Sequence, residues 1–138
     1  MRILFVVQRY GREVAGGAEA HCREFATRLA ARGHEVEVLT TCALNYEDWS
    51  DHFEPGTSGL DGVAVHRLPV AQPRDREVFG RWDQRMAWGH RRPPLHMQER
   101  WMHEQGPVLD GLVPWIETRA SGYDVVVFFT YLYWSTWA

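Results

Sequence analysis

Lysine is missing from this sequence. Of its 138 residues fifteen are basic besides histidine, and all fifteen are arginine. That absence excludes chemistry that requires a side-chain amine: a Schiff-base lysine, a pyridoxal-phosphate anchor, or the phosphate-gripping lysine of a P-loop. Cysteine is scarce too. Cys22 and Cys42 sit apart from any metal-ligand spacing and read as reduced core residues. The seven histidines, among them His90, His96 and His103, show no metal spacing either, so no metal and no bound cofactor are expected. Long hydrophobic runs are lacking as well. The longest apolar-aromatic stretch, Val125 to Trp134, is too short for a bilayer and is interrupted by Thr130. Only five apolar residues separate Arg2 from Gln8 and Arg9, too few for a secretory signal. A net charge of −3 gives no reason to expect nucleic acid or an anionic membrane as partner. The resulting expectation is a soluble cytoplasmic chain with no integral membrane segment.

What is present suits one ordinary globular domain: 45% of residues are hydrophobic, enough for a core without staples. Ile3 to Val7 is a continuous apolar run, as in a strand covered on both faces. A loop, Gln8 to Gly16, follows. From Gly17 onward Ala18, Cys22, Phe25, Ala26, Leu29 and Ala30 recur at helical spacing, and Gly33 closes the segment. Glu35 to Thr41 then alternates, with Val36 and Val38 on one side. The switch in period from 3.6 to 2 marks a βαβ unit.

Further along, the spacing predicts one helical turn over Asn45 to Trp49, a loop over Glu54 to Asp61, and an edge strand over Val63 to Leu68. It predicts a short helix within the charged stretch Pro73 to Pro94, anchored by Val78, Phe79, Trp82 and Met86. Another helix starts near Leu95 and passes Trp101 before Gly106-Pro107 breaks it. A segment with Leu109, Leu112, Val113 and Ile116 on one face precedes a second buried strand, Val125 to Phe129. These elements fit an α/β fold, a Rossmann-like doubly wound parallel sheet of order 3-2-1-4. They also predict that the sheet is truncated, with an apolar strand left at an open edge.

Ligands of such sheets bind outside the carboxyl ends of the strands, at the switch point between the first and fourth. Two segments fall there, Arg9 to Glu19 and Thr130 to Trp134. Gly16-Gly17 opens a helix whose N-terminal amides favour anions, which suits a phosphate; a tight turn alone is the competing explanation. Glu19 either complements the helix dipole or accepts a hydrogen bond from a sugar hydroxyl. Arg9 is the one local candidate for a charge clamp. A dinucleotide fingerprint is disfavoured, because the glycines do not form G-x-G-x-x-G and the second strand ends in Thr40-Thr41 instead of an acid.

The combination of Gly16-Gly17-Ala18-Glu19 after a buried strand with Arg32-Gly33-His34-Glu35-Val36-Glu37-Val38-Leu39-Thr40 resembles the N-terminal domain of family 4 glycosyltransferases. Asp61-Gly62-Val63, His66-Arg67-Leu68-Pro69-Val70 and Tyr123-Asp124-Val125-Val126-Val127-Phe128-Phe129-Thr130 continue the likeness in order. The resemblance implies the N-terminal, acceptor-side half of a GT-B enzyme spanning residues 1–138. Such an enzyme transfers a hexose from a nucleotide-sugar to a sugar or lipid-linked acceptor with retention. It places Gly16 and Gly17 at the donor diphosphate; Arg9, Glu19, Thr130 and Tyr131 are the further candidates for contacts to donor and acceptor. The family's paired carboxylates belong to a C-terminal donor domain and have no counterpart here. The family histidine near the end of the fourth strand falls on Phe129, so no catalytic residue is assigned. Two alternatives stay open. One is a non-catalytic half-domain that forms a homodimer through the edge at Val125–Phe129, and the other is a nucleotide-cofactor oxidoreductase domain.

Overall fold

The computed structural model describes residues 1–89 and 93–138; His90 and the rest of 90–92, within the stretch expected to run from Pro73 to Pro94, lie outside them. Its centre is the βαβ unit. The apolar run forms β1 (Arg2–Val6), the amphipathic segment α1 (Gly17–Ala31) and the alternating one β2 (Glu35–Thr41). Helix α1 ends where Gly33 takes φ 85°, a left-handed exit that side chains disfavour, with the Gly33 and His34 amides folded back on Ala30 and Leu29 carbonyls. β1 and β2 run parallel with Phe5 opposite Val38. Four further pieces follow: β3 (Gly56–Leu60) with β4 (Val63–Leu68), then α2 (Arg76–Gly89) with α3 (Leu95–Gln105). After them come α4 (Leu112–Arg119), β5 (Val125–Phe128) and a last turn, α5 (Trp134–Trp137).

The sheet order is β3-β4-β2-β1-β5, and the four strands β4-β2-β1-β5 are parallel in the expected 3-2-1-4 arrangement. The fold is Rossmann-like. Side-chain alternation sorts the core into two layers. Ile3, Phe5, Val7, Val36, Val38, Val63 and Val65 meet Cys22 and Ala26 of α1 on one face. Leu4, Val6 and Leu39 meet Trp49, Leu109 and Leu112 on the other. Burial pushes the thiols of Cys22 and Cys42 up to about 12 and about 11, so neither is a thiolate at neutral pH.

Five expectations need correction. Residues 56–60 are a strand, not a loop. Their Gly, Thr and Ser side chains carry no apolar alternation, but Asp61 (φ 51°) and Gly62 (φ 80°) form a two-residue hairpin turn that pairs them antiparallel with β4. Consequently β4 is interior and β3 is the edge. Asn45 to Trp49 forms no helical turn, because Asn45 Oδ1 takes the Glu47 and Asp48 amides (3.0 and 3.4 Å) and holds the backbone in a local loop instead. Phe25 and Val113 are exposed at 49% and 40%. β5 lies at the expected open edge, paired only with β1 among the described residues, but it is not a buried strand: Val125 and Phe128 are exposed.

At the end of the sheet where β1 starts, Glu37 is half-buried and accepts from His66 Nε2 (2.6 Å), Tyr123 Oη (2.8 Å) and Arg2 Nη2 (3.1 Å). Burial alone would raise its pKa, but these donors outweigh burial and hold it below the ordinary carboxylate value. Burial and the same carboxylate push the Tyr123 hydroxyl up to about 12, so it remains a donor. A depressed folded pKa contributes stability that is complete above the unfolded value of 4.5 and is lost as pH falls through the folded one. Glu37→Gln is therefore expected to lower Tm at pH 7. The gap to the parent chain should close as pH is taken below 4.5. A gap that stays constant from pH 7 to pH 3 in thermal melts would contradict this role.

Candidate functional site

β1 does not stop at Val6 in any physical sense. The Val7 amide donates to Leu39 O and the Thr41 amide to Gln8 O, so the chain stays in the sheet until its carboxyl end. Gln8, Arg9 and Tyr10 are all buried there, at 1%, 5% and 1% exposure. For a glutamine and an arginine this requires partners. Gln8 Nε2 donates to Phe129 O (3.1 Å) and Ser135 Oγ (3.2 Å), tying the end of β1 to the end of β5.

Arg9 is engaged at every nitrogen. Nε and Nη2 both donate to Glu19 Oε1 (3.0 and 2.6 Å), Nη2 also reaches Ala15 O (3.0 Å), and Nη1 reaches Leu44 O (3.1 Å). The Tyr46 ring covers its guanidinium at 5.3 Å. Glu19, in the first turn of α1, is itself only 7% exposed. A charged fork thus joins the end of β1, the glycine loop, the start of α1 and the loop after β2. It holds the mouth of the site in shape.

The two glycines differ. Gly16 has φ 153° and ψ 142°, and a Cβ there would overlap Glu19 Oε2 and approach Arg9 Nη2 to 3.1 Å. The ion pair leaves room for glycine only. Gly17 has no such constraint: a Cβ would meet nothing within 4 Å. No contact in the fold requires it to be bare. It leaves open space at the first residue of a 15-residue helix whose N-terminus no side chain caps, a place that favours an anion.

Thr130 and Tyr131 follow β5 at the same end of the sheet. Thr130 takes φ 69°, a conformation that costs a β-branched residue about 1–3 kcal/mol. Its Oγ1 is buried without a partner among the described residues, as is Gln8 Oε1. Tyr131 is 81% exposed. Phe129 carries no polar group into the site; its ring packs edge-on against Phe5 (5.4 Å) and against His21 of α1 (5.9 Å). The structure therefore gathers Arg9, Gly16 and Glu19 into one contact group and places Gly17, Thr130 and Tyr131 at the same end of the sheet. Sequence reasoning missed Gln8, Tyr46 and His21. Tyr46 was reachable: it follows a parallel strand's carboxyl end, where crevice residues fall. Among the described residues no group of three or more His, Cys, Asp or Glu side chains converges as a metal site would require, and no described helix is long and apolar enough to cross a membrane.

Residues 16–138 match the model of the glycosyl transferase 4-like domain. The chain belongs to that family. It is 37% identical over 89 residues to a protein named glycogen synthase from Mycobacterium tuberculosis, in strains CDC 1551 / Oshkosh and ATCC 25618 / H37Rv alike. That alignment covers 64% of this chain and 20% of the relative. It is 32% identical over 74 residues to uncharacterized glycosyltransferase MJ1607 from Methanocaldococcus jannaschii, covering 53% of this chain and 17% of that one. The chain thus spans a fifth or less of the curated relatives it matches. No solved structure matches it.

In this family domain the contrast between neighbouring glycines is directly measurable. Gly16→Ala should cost about 2 kcal/mol or more in urea unfolding, from backbone strain and collision with Glu19. Gly17→Ala should cost nothing and gain up to about 1 kcal/mol, since alanine favours the helix. Equal losses at both positions would mean that both glycines serve the fold.

Proposed function

We propose that the chain is the acceptor-side half of a cytoplasmic, retaining hexosyltransferase that takes its sugar from a nucleotide-sugar. The observation that carries this reading is Gly17: an unshielded helix start, held in place by a buried ion pair yet pressed by no protein atom. The uncapped amides of Gly17 and its successors would face the donor diphosphate, stabilising the negative charge that builds on it as the glycosidic bond breaks. Thr130 Oγ1 and Gln8 Oε1, two of the four side-chain oxygens buried without partners among the described residues, support the same placement, since such groups in native proteins call for an explanation. Arg9 works here as a positioning residue. Its guanidinium is committed to Glu19 and to two carbonyls, so its contribution to the diphosphate is to fix the loop. The donor's nucleotide and the carboxylates that act on the sugar would come from the second domain of the GT-B pair, as the resemblance implies.

The exposed outer edge of β5 supports a second reading, self-association through Val125–Phe129. Sedimentation of the 138-residue chain separates the two: a concentration-dependent dimer lost on Val127→Pro, a break in the β5 ladder, favours it, and a monomer removes it.

For the transferase reading, the enzyme containing this domain should be titrated with UDP-glucose, ADP-glucose and GDP-mannose. Gly17→Val is expected to weaken binding of the preferred donor by about 100-fold, roughly 2.7 kcal/mol, while leaving the fold intact. Donor binding and turnover that survive Gly17→Val unchanged would remove the loop from the donor site.

A further inference from the structure

Arg74 is a half-buried cation with no counter-charge among the described residues. It follows β4 at the same end of the sheet as the glycine loop. Nε (2.8 Å) and Nη2 donate to Gln105 O, and Nη1 donates to Tyr46 O (2.8 Å). The Phe79 ring lies 4.6 Å from the guanidinium carbon and the Trp49 ring 5.2 Å. Desolvation lowers its pKa, and no described carboxylate pairs with it. Carbonyl oxygens and ring faces satisfy its geometry without cancelling its charge.

Arg74 also lines a cavity of about 270 Å³, shared with Tyr46, Glu47, Arg76 and Phe79. Arg76 carries a second guanidinium into that wall, and Glu47 meets it at 3.1 Å. Two positive charges and one negative leave the cavity with an excess of one positive charge. Tyr46 joins this cavity to the glycine loop, because the ring that covers Arg9 belongs to the residue whose carbonyl receives Arg74.

We propose that this cavity is a subsite for an anionic oxygen group, a phosphate or a carboxylate, carried by the acceptor. The proposal rests on the reading of this end of the sheet as the acceptor side. Phe79 and Tyr46 would flank the sugar that bears the group, while Arg74 and Arg76 take its oxygens. Glu47 sets the selectivity. By occupying Arg76 when the cavity is empty it opposes weak anions, and a bound anion must draw Arg76 away from it.

The test is calorimetric titration of the chain with glucose 6-phosphate, glucuronate and glucose, with inorganic phosphate as a control. At least one of the two charged sugars should bind about tenfold tighter than glucose, and the better of the two identifies the anion. That preference should shrink as salt rises. Glu47→Gln is expected to tighten the charged sugar several-fold and Arg76→Ala to weaken it several-fold. Both side chains are mostly exposed, at 58% and 71%, so folding is not in question. Equal binding of charged and neutral sugars, or affinities indifferent to both substitutions, would overturn the subsite. Failure of the donor reading shows elsewhere, in nucleotide-sugar affinity at Gly17, and charged-sugar binding should survive Gly17→Val.

Discussion

The buried pair between Arg9 and Glu19 is the constraint on which the site depends. A guanidinium and a carboxylate, each less than a tenth exposed, are stable out of water only in good mutual geometry with their remaining hydrogen-bonding capacity filled. Leu44 O, Ala15 O and the Tyr46 ring fill it. Those partners come from separate elements, so satisfying one charge fixes four pieces of chain relative to one another. Gly16 is glycine because the Glu19 carboxylate occupies the space of a side chain. Gly17, one residue on, is left facing open space by the same arrangement.

Parallel strands supply the rest. With β4, β2, β1 and β5 all pointing the same way, the loops after them meet at one end: the glycine loop, Leu44 to Trp49, Arg74 to Arg76, and Thr130 with Tyr131. That end holds the strained Thr130, the unpartnered Gln8 and Thr130 oxygens and the cation Arg74. The opposite end behaves differently. The Glu37 carboxylate there accepts from His66, Tyr123 and Arg2, and its chemistry is that of a clamp across strands. Local rules are satisfied at one end and left incomplete at the other, the pattern expected where a ligand or a second domain completes the structure.

The βαβ unit was legible because each of its parts carries a periodic signal: an apolar run, a 3.6 spacing, an alternation and the glycine between them. β3 carried none, since Gly56 to Leu60 buries almost nothing and exists through its backbone ladder; only the Asp61-Gly62 turn betrayed it. Apolar spacing also misled at Phe25, where helical position was right but the described structure offers that side no cover. In the site, the glycines and the acid were visible as types. Their coupling was not, because a contact between Arg9 and Glu19 requires knowing how the loop between them closes. Gln8 and Arg74 were invisible for a related reason. Each is an ordinary polar residue by type, made unusual only by burial and by the partners the topology brings to it.

A double-mutant cycle tests whether one buried ion pair shapes the glycine loop. Urea unfolding of Arg9→Ala, Glu19→Ala and the double variant would give the coupling energy. Each single substitution strands a buried charge and should cost about 3–5 kcal/mol. The double variant should cost far less than their sum, a coupling of about 2 kcal/mol or more. Additivity within about 0.5 kcal/mol would mean that the two charges act independently and that the loop owes its form to something else.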